Sequence, residues 1–318
     1  MRISSVCLLG GSGFIGSQVA GQLSARGIAV TLPARRREHA KHLFVLPGVD
    51  VLEANVHDDA QLRRCIAGCD AVINLAGILN PERRAGFERA HVELPRRVAK
   101  LCAENGIRRL VHMSALNAGV NGPSEYLRSR ARGESAVREV AQSALDVTIF
   151  RPSVVFGAGG EFLNLLADLV KLFPVIPLGS AQTKFQPVHV GDVARAIVNC
   201  LDDERTFGNT YPLCGPKSYT LRELVEFVAA TLHLRRVIVE LGPALSMLQA
   251  SVLEYVLFWN KILTRDNVRS MQVDCVCGCA FPEVFGFHPA ALEAIVPGYL
   301  QDASQRRRYR QFREQAGR

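Results

Sequence analysis

Short apolar runs alternate with amphipathic stretches through the first half of the chain. Val6-Cys7-Leu8-Leu9 is the first run, and the helical pattern QVAGQLSARG follows it. Ile28–Leu32 reads as a second strand, Val49–Glu53 as a third and Ala71–Leu75 as a fourth, with a helical segment from about Asp58 to Ala67 before the last. Arg89–Asn105 has the spacing of one amphipathic helix closed by Gly106. Ile107–Met113 reads as a strand, Tyr126–Gln142 as a helix and Leu145–Phe150 as a sixth strand. Near-continuous apolar strands separated by helix-length segments predict right-handed crossovers and a parallel sheet covered on both faces. From Arg151 the rhythm changes: glycine- and proline-containing loops (FGAGGE, FPVIPLGS) interleave with shorter helices at Val190–Leu201 and Thr220–Leu232.

The first strand and helix are joined by Gly10-Gly11-Ser12-Gly13-Phe14-Ile15-Gly16. Strand, glycine turn and helix in that order meet the requirements of pyrophosphate binding. Gly10 permits the tight turn, Gly13 lets the backbone approach the phosphates, and Gly16 lets the helix lie close on the strand with its amides facing the anion. The expected class is α/β, a Rossmann-type doubly wound parallel sheet with a smaller C-terminal α/β substrate or lid region. The division expected is 1–155 for dinucleotide binding and 156–318 for the C-terminal region and its basic tail, the two sharing one core.

Composition adds three points. Hydrophobic content of 48% with 21% charged residues is that of an ordinary globular chain of 318 residues. Nine cysteines, an odd number scattered over strand and helix patterns, read as free thiols in a reducing compartment. With strand-forming sequence beginning at Ile3, this favours a cytoplasmic address. The net charge of +8 is concentrated at the end, where residues 305–318 hold six arginines against one glutamate. Such a tail suits an anionic lipid surface at the inner face of the cytoplasmic membrane, or an acidic protein. No interleaved aromatic platform accompanies it, so no nucleic-acid partner is expected.

Two stretches invite sharper readings. Residues 241–263, LGPALSMLQASVLEYVLFWNKIL, are strongly apolar but interrupted by Gly242-Pro243, Gln249, Ser251, Glu254 and Asn260, which excludes a membrane-spanning helix. They read as a core-packing helix or as one whose apolar face meets a lipid-like substrate or a membrane surface. The CVCGC run at 275–279 is a poor zinc site, because adjacent-but-one thiols share a tetrahedral ion badly; Cys65 and Cys69 fall on another helix and His288 is unsupported as a fourth ligand. No metal is expected. His91 and His112 read as structural residues, and Asp192 as a helix cap.

The glycine turn, Tyr126 in YLRSR and RPSVVFG at 151–157 resemble the extended and atypical short-chain dehydrogenase/reductases. NLAGIL (74–79), AHVELPRRVAKLC (90–102), VHMSALNA (111–118), FQPVHVGDVARAI (185–197) and LTRDNVRSM (263–271) resemble, more narrowly, the branch around the alpha-subcomplex subunit nine of respiratory complex I. The resemblance implies NAD(P) binding and a respiratory-complex or quinone-biosynthesis partner, without fixing a reaction.

At the end of the second strand, where an acid would take the ribose hydroxyls of NAD, this chain reads LPARRRE; Arg35 and Arg36 favour NADP(H) over NAD(H). Asn55, followed by Val56, stands where relatives place an aspartate toward the adenine. Asn74, Leu75, Ala76 and Gly77 are expected beside the adenosine ribose, and Pro152 beside the nicotinamide. The family's reductase chemistry needs a tyrosine acid, a nearby cation and an orienting hydroxyl. Tyr126, Arg130 one helical turn on and Ser114 supply those groups. Arg130 occupies the family's lysine position; it can hold ribose hydroxyls and offset a tyrosinate by charge, but it cannot relay a proton. Two roles stay open: a nucleotide-loaded accessory or assembly protein, or an NADPH-dependent reductase of a hydrophobic carbonyl or quinone-like compound.

Overall fold

The computed structural model describes residues 2–79, 85–142, 144–242 and 264–301. The apolar stretch from 243 to 263 and the arginine-rich tail at 305–318 lie outside the described residues. The chain forms two compact units. The first takes residues up to Ser153 with Val190–Leu213 and Cys279–Phe287; the second takes Val154–His189, Cys214–Gly278 and residues from His288 onward. The C-terminal half thus contributes to both.

The first unit is a parallel sheet with helices. Its elements are β1 (Ser5–Leu9), α1 (Phe14–Ala25), β2 (Ala29–Ala34), β3 (Val49–Glu53), α2 (Asp59–Ile66), β4 (Ala71–Asn74), α3 (Ala85–Glu88), α4 (Leu94–Glu104), β5 (Arg109–Met113), α5 (Glu125–Ala141) and β6 (Asp146–Pro152). A seventh strand, Thr210–Leu213, pairs with β6 at the edge, giving the order Thr210–Leu213, β6, β5, β4, β1, β2, β3. Pro212 in that strand is tolerated because an edge has no second ladder to supply. Every residue of β4 and β5 is buried, as a sheet covered on both faces requires. β1 runs beside both β2 and β4, so the chain reverses its direction of winding there, and Leu9 pairs with Asn74 at the strand ends. That reversal opens the crevice in which doubly wound sheets bind ligands. Cys7, Leu9, Leu62, Ile66, Val72, Leu94, Val98, Leu101 and Ile149 belong to one core cluster of this unit.

The segment expected to be a single helix over 89–105 is broken. α3 gives way to a π turn at Arg89–Glu93, in which the Leu94 amide bonds the Arg89 carbonyl five residues back, and α4 begins only after it. Pro95 supplies the physical reason: it has no N–H to donate to the His91 carbonyl. That carbonyl instead lies against α5, where a Cβ built on Gly133 would fall on it.

The second unit packs helices Glu161–Leu172 and Leu221–Thr231 around a core that includes Leu163, Leu166, Val170, Leu224, Val228, Leu292 and Val296. The latter helix starts with a capping box, Thr220 and Glu223 each bonding the other's backbone amide. Three short strand pairs complete the unit: Val155–Phe156 with Val188–His189, Lys184–Phe185 with Tyr219–Thr220, and Val175–Gly179 with Val237–Leu241. Leu241, read from sequence as the start of the apolar stretch, therefore ends a strand. In the first unit, helix Val190–Asn199 carries Asp192 inside its first turn rather than at its cap. The cysteine reading also needs correction, because Cys214 and Cys277 form a disulfide, while seven other cysteines are not disulfide-bonded.

Candidate functional site

The β1–α1 turn is built so tightly that side chains have no room. Gly10 has φ +76°, in the left-handed region, and a Cβ there would stand 2.9 Å from the Leu75–Ala76 backbone. A Cβ on Gly16 would overlap the Gly10 carbonyl and the Gly11 Cα. The Gly13 amide closes the turn on the Gly10 carbonyl at 3.1 Å. Helix α1 then starts at Phe14 with Gly13 at its N-cap, no side chain bonding its first amides and no acid in its first turn. Those amides and the helix dipole are left for an anion, and Ser12, Phe14 and Ile15 around them are partly accessible. The cradle fits a pyrophosphate.

Arg35 and Arg36 follow β2, exposed, and among the described residues neither makes an ion pair. The guanidinium of Arg37 lies over the Phe44 ring at 5.4 Å. Beyond β3, Asn55 accepts from the His57 amide at 3.1 Å and donates its own amide to Gln61, which fixes the loop around Val56. Burial and the charges of Arg89, Arg97 and Arg35, partly opposed by Glu93, lower the His57 pKa. After β4, the Leu75 amide bonds the Leu9 carbonyl and the Ala76 amide bonds the buried Asn74 side chain, bringing residues 74–77 against the glycine turn.

On the other side of β4, Arg130 links three elements. It rises from α5 one turn after Tyr126, with its guanidinium carbon 5.3 Å from the Tyr126 ring centroid. Nη1 donates to the Met113 carbonyl at the end of β5 at 3.1 Å. Across the loop after β4, a Cβ on Gly77 would press on the same guanidinium, 3.0 Å from its carbon. Arg130 is 8% exposed, makes no ion pair among the described residues, and its Nε is buried with no hydrogen-bond partner. Ser114, immediately after β5, is also buried, and its Oγ likewise has no partner. Two unspent polar groups in one buried region cost free energy unless a bound molecule satisfies them. Pro152 ends β6, buried, its carbonyl accepting from the Leu116 amide. A bidentate ion pair between Arg151 and the buried Glu134, at 2.8 and 2.6 Å, ties α5 to that strand end.

His91 was read from sequence only as a structural residue, and its geometry is more specific. Its Nε2 accepts from the Ile78 amide at 3.1 Å, so the proton sits on Nδ1, which donates to Ser129 Oγ at 2.9 Å. Ser129 in turn donates to the Tyr126 carbonyl at 2.8 Å. The rings of Phe87, His91 and Tyr126 lie within 5.3 to 6.1 Å of one another. Burial, followed by the charge of Arg130, lowers the His91 pKa to about 2 and that of His112 to about 3. Both imidazoles are neutral at physiological pH.

Fold and site together define a Rossmann-type α/β protein with a dinucleotide cradle. A model of the NAD dependent epimerase/dehydratase family matches residues 6–213, and the chain belongs to that family. The mitochondrial NADH-ubiquinone oxidoreductase 40 kDa subunit of Neurospora crassa is 30% identical over 302 residues, 92% of this chain and 78% of the fungal protein. The mitochondrial NADH dehydrogenase (ubiquinone) 1 alpha subcomplex subunit 9 of Mus musculus is 35% identical over 232 residues, 71% of this chain but only 60% of the mouse protein. Among solved structures, a double mutant of DesIV, a dTDP-glucose 4,6-dehydratase from Streptomyces venezuelae, superposes with a TM-score of 0.72 at 18% identity, covering 95% of this chain and 96% of its own; that likeness shows the fold alone. Among the described residues no helix is long and apolar enough to cross a membrane.

Proposed function

We propose that the chain holds NADP(H), in preference to NAD(H), as a retained cofactor, and serves as an accessory or assembly protein of a respiratory complex or of ubiquinone metabolism. The observation that carries the nucleotide is the cradle: a left-handed Gly10, a Gly16 with no room for a Cβ, and an uncapped α1 facing the turn. Arg35 and Arg36, exposed and outside any ion pair among the described residues, suit the 2′-phosphate. Asn55, Val56 and residues 74–77 would flank the adenosine, and Arg130 and Pro152 the nicotinamide end. The 1–155 portion would hold the nucleotide, and 156–318 keeps the substrate or lid assignment. The role follows from likeness to relatives named as subunits of NADH-ubiquinone oxidoreductase. The proposed address is cytoplasmic, with peripheral attachment at the inner membrane face through the basic tail and the apolar stretch.

A second reading is favoured by the unspent Ser114 hydroxyl beside Arg130's end of β5. NADPH, when bound, would supply a hydride to a hydrophobic carbonyl or quinone-like substrate. Tyr126 would give its phenolic proton to the reduced oxygen, Ser114 would orient that oxygen, and Arg130 would offset the phenolate by charge. An arginine does not relay protons, so reprotonation of Tyr126 has to come from elsewhere. NADPH oxidation with short-chain quinones and aldehydes, compared between the wild type and Tyr126→Phe, separates the two. Absence of turnover in both supports the accessory role; turnover lost in Tyr126→Phe establishes the reductase.

A further inference from the structure

Three segments of the second unit meet at Gln186. Its backbone amide donates to the Cys275 carbonyl at 2.9 Å, its Nε2 donates to the Gly215 carbonyl at 2.7 Å, and its Oε1 accepts from the Cys277 amide at 2.9 Å. The Cys275 amide continues the ladder onto the Lys184 carbonyl at 2.7 Å, and the Lys184 amide bonds Asp274 Oδ1 at 2.8 Å. The 214–215 segment is pressed on the same stretch of chain, since a Cβ on Gly215 would run into the Pro187 carbonyl. Cys214 and Cys277, one on each flanking segment, are disulfide-bonded across Gln186.

The surroundings of this bond are those of a reducing-compartment chain. Seven cysteines remain outside any disulfide, and Cys279 among them is exposed. In the reducing compartment proposed for this chain, a disulfide is usually transient and redox-responsive. Cys7, Cys65, Cys102 and Cys200 are buried, and burial raises each thiol's pKa, to about 12 for Cys102 and Cys200, which keeps them unreactive. The two bonded residues differ: Cys214 is 3% exposed, while Cys277 is half-buried.

We propose that Cys214–Cys277 is a thiol–disulfide exchange site for small cellular thiols of the glutathione class, and that its closure clasps residues 274–277 onto residues 184–186. The incoming thiolate attacks Cys277 Sγ, which belongs to the less buried residue of the pair. The S–S bond breaks, and its electron pair leaves on Cys214 Sγ, which takes a proton from solvent. A second thiolate attacks the outer sulfur of the mixed disulfide, releasing Cys277 as a thiolate and the oxidised small-molecule disulfide. The net change is one protein disulfide plus two thiols giving two protein thiols plus one small disulfide, a two-electron reduction.

The test uses the intact protein equilibrated under inert gas in glutathione buffers from fully reduced to fully oxidised. Acid quenching, thiol alkylation and peptide mass spectrometry then read each cysteine, and hydrogen exchange reads the amides of Cys275 and Cys277. The expected result is one shared transition of Cys214 and Cys277, no change at Cys7, Cys65, Cys102 or Cys200, and at least tenfold faster exchange of the two amides in the reduced form. The Cys275→Ser/Cys279→Ser variant should keep the transition and Cys214→Ser should lose it. Independent alkylation of Cys214 and Cys277, or a bond to Cys275 or Cys279 in its place, would overturn the site. Exchange rates unchanged on reduction of the wild type, which needs no variant to fold, would overturn the clasp.

Discussion

Arg35, Arg36 and Arg130 make no ion pair among the described residues, and each can take an anion or a hydroxyl from a ligand. For the first two the expected ligand group is a phosphate. Charge-assisted hydrogen bonds contribute about 1.5–3 kcal/mol each, so Arg35→Ala and Arg36→Ala should each weaken NADPH binding by roughly 10- to 100-fold while leaving NADH within about twofold. Calorimetric titration of both nucleotides checks this, and an unchanged preference would remove the NADP(H) assignment. Arg130 also shapes acid stability, because its charge and the burial around it hold His91 near pKa 2 and His112 near 3. Both values lie below the unfolded value of about 6.5, so the unfolded chain binds more protons as the pH falls. The two neutral histidines stabilise the fold fully above about pH 6.5, and that stability is lost toward their folded pKa values, at up to about 1.4 kcal/mol per pH unit each. Urea midpoints should therefore fall from pH 7 to pH 5, with a shallower slope in His112→Gln. An identical slope would mean that His112 is protonated in the folded protein.

At the scale of elements, the β1–α1 turn and six of the seven strands of the large sheet were legible because a buried parallel strand and a glycine turn are local patterns. What was not legible depended on contacts distant in sequence. The edge strand Thr210–Leu213 is four residues long, contains Pro212 and exists only through β6. The π turn at Arg89–Glu93 was written as Pro95, yet its purpose shows only against Gly133 of α5. Gly133→Ala should drive a methyl into the His91 carbonyl, costing about 1–3 kcal/mol as overpacked sites do and loosening the loop that His91 holds through the Ile78 amide. A lower urea midpoint with faster hydrogen exchange at Ile78 is the expected outcome; wild-type values at both would contradict the packing described. Gly16→Ala, by contrast, should abolish nucleotide binding before it unfolds the domain, since the clash falls within the cradle itself.

For the whole molecule, the family, the fold class and the position of the glycine turn between β1 and α1 could be read from the chain alone, because the motif order strand, glycine turn, helix is contiguous. The two compact units could not, since residues 190–213 and 279–287 join the first unit from far along the sequence. Nor could the Cys214–Cys277 pairing, which spans 63 residues and depends on Gln186 bringing the segments together. The central claim is that this cradle retains a nucleotide, and native mass spectrometry of freshly purified protein tests it most directly. The predicted result is an added mass of NADP(H), released on denaturation, in the wild type and absent in Gly16→Ala. Bare protein that also fails to take up added NADPH would contradict the reading of the glycine turn, and retained NAD(H) in its place would contradict the role given to Arg35 and Arg36.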